Sequence, residues 1–519
     1  MTIFVINPQN DTCMNTRVIL GAAIALLMGA PACPASTRDH ITYEMFGARG
    51  DGVTDDMKAI VAAHEAANEQ GLPVRVAART YYIGGAALTA VVKTDTDFGE
   101  ARFIIDDRNV EDRTTDIFDI RSYMEPYEIE GMTSLAKGAG KLGVRLPCES
   151  LVEVWNEDKR IYIREGPNQN SGVPQREMLV ASRSGRISRL SEVIWQYDKV
   201  TKAKAYPIDG KTLTVRGGHF TTIANTDESR YTYYSRGIQI GRSSTVVEGL
   251  EHHVEGEADH GAPYTGFISI SHAADVTVRD CILTGHKTYT TIGSAGVPVS
   301  MGTYDLNIYC AVGVKVQRCT QTNDLDDRTY WGLMGSNFCK SLTFEGCRIT
   351  RFDAHQGVWN VTLRDCVFGH MFARAVGCGT LTIERCEMRY GYLFGLRDDY
   401  GSSWDGDIYI KDCILRPVMQ ETHSVEVIHG SNRGLHDFGY DCRLPRRIVV
   451  DGLTIDDSRV TNPGYKGPAL FAPFEYAPDA THPVPAKGKI VLRNISVASG
   501  RPFVISHNAS RFAGYEVAR

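Results

Sequence analysis

The sequence predicts an all-β chain folded as a parallel β-helix, and three observations carry that prediction. First, six segments between residues 276 and 417 share one pattern: VTVRDC, VKVQRC, LTFEGC, VTLRDC, LTIERC and IYIKDC. Each has an aliphatic or aromatic residue five and three positions before a cysteine, with charged or polar residues between. That period of two is a strand with one buried face. Second, the pattern continues outside this run. Leu213, Val215 and Gly218 fit it upstream, as do Thr245, Val247 and Leu250; Ile448, Val450 and Leu453, then Ile490, Leu492 and Ile495, fit downstream. Third, the units recur at gaps of 19 to about 40 residues, the mark of a short repeat with variable loops. Their β-branched content selects stacked strands over a helical repeat.

Stacked coils lie roughly 4.8 Å apart. Cys281, Cys319, Cys347, Cys366, Cys386 and Cys413 are therefore expected to form a ladder of buried thiols inside the solenoid. No C-x-x-C pair supports a metal site, so no metal ligands are assigned.

Taken in order, the chain opens with a targeting pattern over residues 1–35. Arg17 precedes the apolar run 18–30, then small residues and Pro lead up to Ala35. The run is short for a membrane span, so no stable span is expected, and the protein is read as exported. Residues 36–519 are read as one β-helix domain. Within it, 36–85 is the N-terminal section. A strand runs to Phe46, Thr54 caps a helix, and Met57, Ile60, Val61 and Ala67 give that helix its apolar face. Gly71 and Pro73 stop it. Residues 86–211 lack clean repeats and are read as widened early coils with long loops. Regular coils follow over 212–500, and 501–519 is a tail. The net charge is −6 and no basic patch is present, which argues against nucleic acid.

The stretch FGARGDGVTDD, the helix after it, the next strand and the TYYIGG segment resemble the N-terminal motif of the pectate-lyase-like superfamily. That superfamily holds right-handed parallel β-helices, including polygalacturonase-type glycosidases, pectin lyases and phage tailspikes. The resemblance implies right-handed coils and a helix that caps the N-terminal end of the stack.

Chemistry is expected just beyond each ladder cysteine, on one outer flank. Asn323, Asp324, Asp326 and Asp327 follow Cys319; Arg351, Asp353 and His355 follow Cys347; His370 and Arg374 follow Cys366; Tyr390, Arg397, Asp398, Asp399 and Tyr400 follow Cys386. Neighbouring coils put such side chains roughly 5–10 Å apart. That suits the carboxylate separations of about 5–5.5 Å or about 6.5–9.5 Å used by glycosidases. The order also resembles the polygalacturonase-type site, with Asn323-Asp324, Asp353, Gly369-His370 and Arg397 near its four motifs. The second motif has one acid where the family has two, Met371 replaces a Gly, and Arg397 is followed by Asp-Asp.

On this reading Asp353, His355, His370, Asp398, Asp399 and Asp324 are the catalytic residues, with Asp353 sharing acid and base duty with one of the other carboxylates. Arg351, Arg397, Tyr400, Asn337, Trp331, Tyr304, Asp305 and Asp326 bind substrate. The expected function is a glycoside hydrolase that acts, without a cofactor, on a pectic or other acidic polysaccharide or oligosaccharide. Two rivals share the fold. One is a polysaccharide lyase, with Ca²⁺ held by Asp324, Asp326 and Asp327. The other is a non-catalytic sugar-binding or adhesin β-helix.

Overall fold

The computed structural model describes residues 39–331 and 334–519, and the targeting segment expected over 1–35 lies outside them. Among the described residues 29 strands pair in parallel, coil upon coil, into a right-handed β-helix. A coil of the regular section has three short strands. One carries the repeat (Val361 to Arg364), one follows the cysteine (Val367–Phe368), and one leads back (Ala373 onward).

The register follows the repeat. Val247, Val278, Val316, Phe344, Leu363, Ile383, Ile410, Val450 and Leu492 pair in one column, all of them buried. The six ladder cysteines are buried, and all eleven described cysteines are free. The residue before each ladder cysteine explains why the repeat reads as charge-then-Cys. Asp280, Arg318, Asp365, Arg385 and Asp412 adopt φ of 50 to 55°, and Gly346 takes 65°. The left-handed residue turns the chain between two strands and points its side chain to solvent. There Arg318 clamps Asp280 at 2.6 and 2.7 Å, and Arg385 clamps Asp365 at 2.6 and 2.9 Å. A thiol reagent applied to the native chain is expected to leave Cys319, Cys347, Cys366 and Cys386 unmodified until denaturant is added. Rapid native labelling of these four would break the ladder.

At the N-terminus α1 (Met57–Gln70) buries Met57, Ile60, Ala63, His64 and Ala67 against the first coil, with the His64 ring 5.8 Å from that of Phe118. Two local expectations differ. The segment up to Phe46 is a 3₁₀ turn, Tyr43–Phe46, rather than a strand. Thr54 does not cap α1. Its hydroxyl donates to Asp51, while Asp55 accepts from the Met57 N–H and Asp56 from the N–H groups of Arg49 and Gly50. The GDGVTDD acids thus hold a turn closed.

Residues 86–211 depart further from the expected widened coils. Ala90–Val92, Thr96–Asp106 and Phe118–Ile120 do join the stack. Tyr127–Glu128, Lys202–Pro207, Ser150–Ile161 and Val173–Ala181 instead pair antiparallel, in that order, as a separate four-stranded sheet. Val152, Val154, Leu179, Tyr197 and Ala205 pack on one side of this sheet. Leu151, Ile161 and Met178 pack on the other, against Cys310, Val312 and Phe338 of the coils. Burial on both faces removes the polar alternation from Ser150–Val154 and Glu177–Leu179, so these strands show no period-two signal. Lys340 of a coil donates to Glu177 of this sheet at 2.5 Å, both fully buried, which ties sheet and solenoid together.

Candidate functional site

The third strand of each coil positions the site. Its outward side chains stack in columns, because parallel register brings Asn307 beside Gly335 and Asp353 beside Arg374 and Gly395. The strand Phe352–Arg364 also bulges. Ala354 pairs with Ala375 but Val358 with Gly377, so His355, Gln356 and Gly357 oppose a single residue. Gly357 lies at φ 81°, and a Cβ there would stand 1.9 Å from the Tyr162 hydroxyl. Glycine therefore lets the antiparallel sheet close onto the bulge.

Two guanidiniums and an imidazole converge on Asp353. Its carboxylate is fully buried and accepts from His355 Nε2 at 2.5 Å, from Arg397 Nη1 at 2.9 and 3.1 Å, and from Arg351 Nη2. Arg397 turns its remaining nitrogens to Asp399, at 2.8 and 2.5 Å, and Asp399 also accepts from Arg164 at 2.8 Å. Burial opposes the charge on Asp353, but the guanidiniums of Arg351 and Arg397 outweigh it and hold its carboxyl well below the usual carboxylate range. Asp399 is held at about 2 in the same way, burial being outweighed by Arg397 and Arg164. Burial, and then repulsion from Arg397, lower His355 to about 4.

These environments reassign the expected roles. Arg351 and Arg397 favour the ionised form of Asp353, which suits a fixed anion better than a proton donor. Asp353 orients His355 and neutralises two arginines. Asp399 is likewise committed to two guanidiniums. Tyr400 is buried beneath them, its ring 5.8 Å from the Arg397 guanidinium and 5.5 Å from that of Arg164. Asn337 is spent on the Gln356 N–H at 2.8 Å. Tyr304 is buried, its ring against Gly302 and Gly335.

Asp305 turns inward. Fully buried, it accepts from His252 at 2.8 Å, His286 at 3.3 Å and the Thr284 N–H at 2.8 Å. Burial disfavours a charged His286, yet Asp305 and Glu257 together push it up to about 9. This pattern belongs to an internal polar brace.

The open space lies on the other side of Arg351. A cavity of about 290 Å³ is lined by Arg328, Trp331, Arg351, His370, Arg374 and Tyr390, among others, and among the described residues no carboxylate lines it. The Arg351 guanidinium lies 4.9 Å over the Trp331 ring. Arg351 Nε and Nη1, Arg374 Nε and Trp331 Nε1 are buried without a hydrogen-bond partner among the described residues. Arg374 keeps one bond, from Nη2 to the exposed Asp398 at 3.0 Å. Beside His370 stands Asp326, whose Oδ2 accepts from Arg389 at 3.3 Å while the buried Oδ1 has no partner among the described residues. Burial raises the Asp326 carboxyl above its ordinary value. Asp324 is exposed and accepts from the Asp326 N–H at 3.1 Å, closing a turn apart from the Asp353 cluster. Asp327 is spent on Thr329, so these three acids form no converging cation site among the described residues.

The structure thus brings Arg351, Asp353, His355, Arg397, Asp399 and Tyr400 together and places His370 and Trp331 at the neighbouring cavity. Sequence reasoning missed Arg164, which reaches Asp399 from 235 positions away and carries no local signal. It also missed two larger clefts, of about 870 and 580 Å³, between the antiparallel sheet and the coils, near Trp195 and Tyr440. None of the sequence-selected residues lines them.

No protein-family model matches this sequence, and no curated protein matches it. Solved structures do match. The tailspike protein gp49 of Pseudomonas phage LKA1 superposes with a TM-score of 0.54 at 13% identity, over 92% of this chain and 84% of that one. The tailspike gp61 of Pseudomonas phage phi297 gives 0.53 at 13% identity, over 93% and 84%. At these identities the likeness is one of fold, and the chain shares with both tailspikes the right-handed parallel β-helix.

Proposed function

We propose that the protein is a carbohydrate-active β-helix, and that it binds an acidic saccharide at the Arg351–Arg374 cavity and hydrolyses it there. One observation carries this reading: buried cationic donors without partners, and no acid, surround a cavity large enough for a sugar ring. Buried polar groups are rarely left unpaired, and a guanidinium over an indole suits a carboxylate held beside a ring face. The tailspike fold agrees with a saccharide partner, and a secreted or surface location is in keeping with one.

The proton source on this reading is Asp326, which does not line the cavity itself but neighbours His370, which does, and whose carboxyl is raised by burial, whereas the arginines lower Asp353 and Asp399. A general acid must be protonated, so the rate is expected to fall as pH rises through its raised pKa. Asp326→Asn should lower kcat by roughly 10²–10⁴-fold and remove that limb of the pH profile. Unchanged kcat in a folded variant would take Asp326 out of the chemistry.

A second reading, a binding β-helix without turnover, is favoured by the ion-pairing of Asp353 and Asp399. Incubation with a panel of acidic oligosaccharides separates the possibilities. New reducing ends mean hydrolysis, and the ultraviolet absorbance of an unsaturated uronide means a lyase. Retention without either means binding alone.

A further inference from the structure

Away from this cavity, the antiparallel sheet meets the coils at a mixed donor cluster. Glu153 comes from the central strand Ser150–Ile161, and His272 and Cys310 come from the same corner of two successive coils, one residue beyond the paired Ser271 and Tyr309. His272 Nε2 lies 3.1 Å from Glu153 Oε2, and Cys310 Sγ lies 3.8 Å from Glu153 Oε1. All three donor atoms fall within 4.8 Å of one another, and no other such trio occurs among the described residues. Glu153 and Cys310 are fully buried, while the His272 side chain is 27% exposed.

We propose that Glu153, His272 and Cys310 bind one zinc ion, which staples the antiparallel sheet to the solenoid. One nitrogen, one sulfur and one carboxylate oxygen form a borderline-soft donor set suited to zinc and ill-suited to calcium or magnesium. Zinc bonds of about 2.0–2.3 Å in a tetrahedron place neighbouring donor atoms roughly 3.3–3.8 Å apart. His272 Nε2 and Glu153 Oε2, at 3.1 Å, stand close to that range, and all three donor atoms lie within 4.8 Å of one another, so small side-chain shifts bring them onto one ion. Water takes the fourth position on the side where His272 meets solvent.

The surrounding groups are compatible. Tyr206 donates to Glu153 Oε2 at 3.3 Å, and its ring lies 4.8 Å from that of His272, which holds the imidazole in place. Arg176 Nη1 lies 3.5 Å from Oε1, so this oxygen stays with the guanidinium while Oε2 turns to the metal. Without metal the Cys310 thiol is pushed up by burial and by Glu153, so it holds its proton. Binding releases that proton to solvent, and the thiolate and Glu153 then balance the two charges of the ion. The ligands come from residues 153, 272 and 310, each isolated in the sequence, which is why no spacing motif announces them.

The test uses the full chain, loaded with Zn²⁺, dialysed against metal-free buffer and assayed for metal content. One zinc per chain is expected. Replacement by Co²⁺ should give the visible absorption of a tetrahedral site together with a thiolate charge-transfer band. Cys310→Ser should abolish that band and lower retained zinc by more than about tenfold, whereas Cys148→Ser should change neither. Should Cys310→Ser fail to fold, His272→Gln, altered at the solvent side, is expected to show the same loss of zinc. A wild-type chain that retains no zinc overturns the proposal. So does zinc retained undiminished by Cys310→Ser, or by His272→Gln where the serine variant does not fold.

Discussion

Asp353→Asn is expected to destabilise the protein by about 3–5 kcal/mol, more than a surface charge change would. The side chain is nearly isosteric, so packing hardly changes. What changes is charge: Arg351 and Arg397, both buried, lose the anion that His355, too, is bonded to. Removing one partner of a buried ion pair leaves the other desolvated and uncompensated. The pH dependence follows from the depressed carboxyl. The stability contributed by Asp353 is fully present above its unfolded value of about 3.9, and is lost as pH falls through the lower folded value. Denaturant titration of wild type and variant at neutral pH reads the difference. A loss under about 1 kcal/mol would mean that the two arginines find another partner. Arg397→Gln added to Asp353→Asn should cost less than the two single changes summed, because they share one network.

Arg374→Met is expected to weaken an acidic oligosaccharide by roughly 10–150-fold, the equivalent of one charge-assisted hydrogen bond of about 1.5–3 kcal/mol. Arg374 is the informative choice because its partner in the structure is the exposed Asp398, so its removal strands no buried anion. Burial, and then repulsion from Arg397, lower its guanidinium to about 10, which reflects a cation short of counter-charge. The carboxyl-reduced form of the same oligosaccharide should bind wild type and variant equally. Equal weakening of both forms would mean that Arg374 shapes the cavity and does not read the charge. Calorimetric titration measures both affinities. The acidic ligand alone should also lose affinity with added salt.

Some of this protein could be read directly from its residues. Period-two alternation is local, and in a solenoid each unit repeats the same local environment. The strand phase, the thiol ladder and the helix over 57–70 are therefore written in short windows of sequence. The offset from each cysteine also picked out residues that contact one another, since Arg351, Asp353, His355 and Arg397 do meet. Their protonation was not legible. A carboxylate that looks like a general acid in the string RFDAHQG becomes a fixed anion once Arg351, His355 and, 44 positions later, Arg397 close around it. Asp305 looked like its outward neighbours and instead points into the core.

The antiparallel sheet was hidden because its two longest strands are covered on both faces over Ser150–Val154 and Glu177–Leu179, and with it Arg164, Glu153 and the larger clefts. Sequence by itself determined what each coil repeats, because strand phase and the left-handed corner before each cysteine depend on neighbouring residues only. Tertiary structure alone decided which charges are paired, which donors stay open around the cavity, and which distant residues meet. Those outcomes depend on desolvation and on contacts between segments tens to hundreds of residues apart, and no local pattern encodes them.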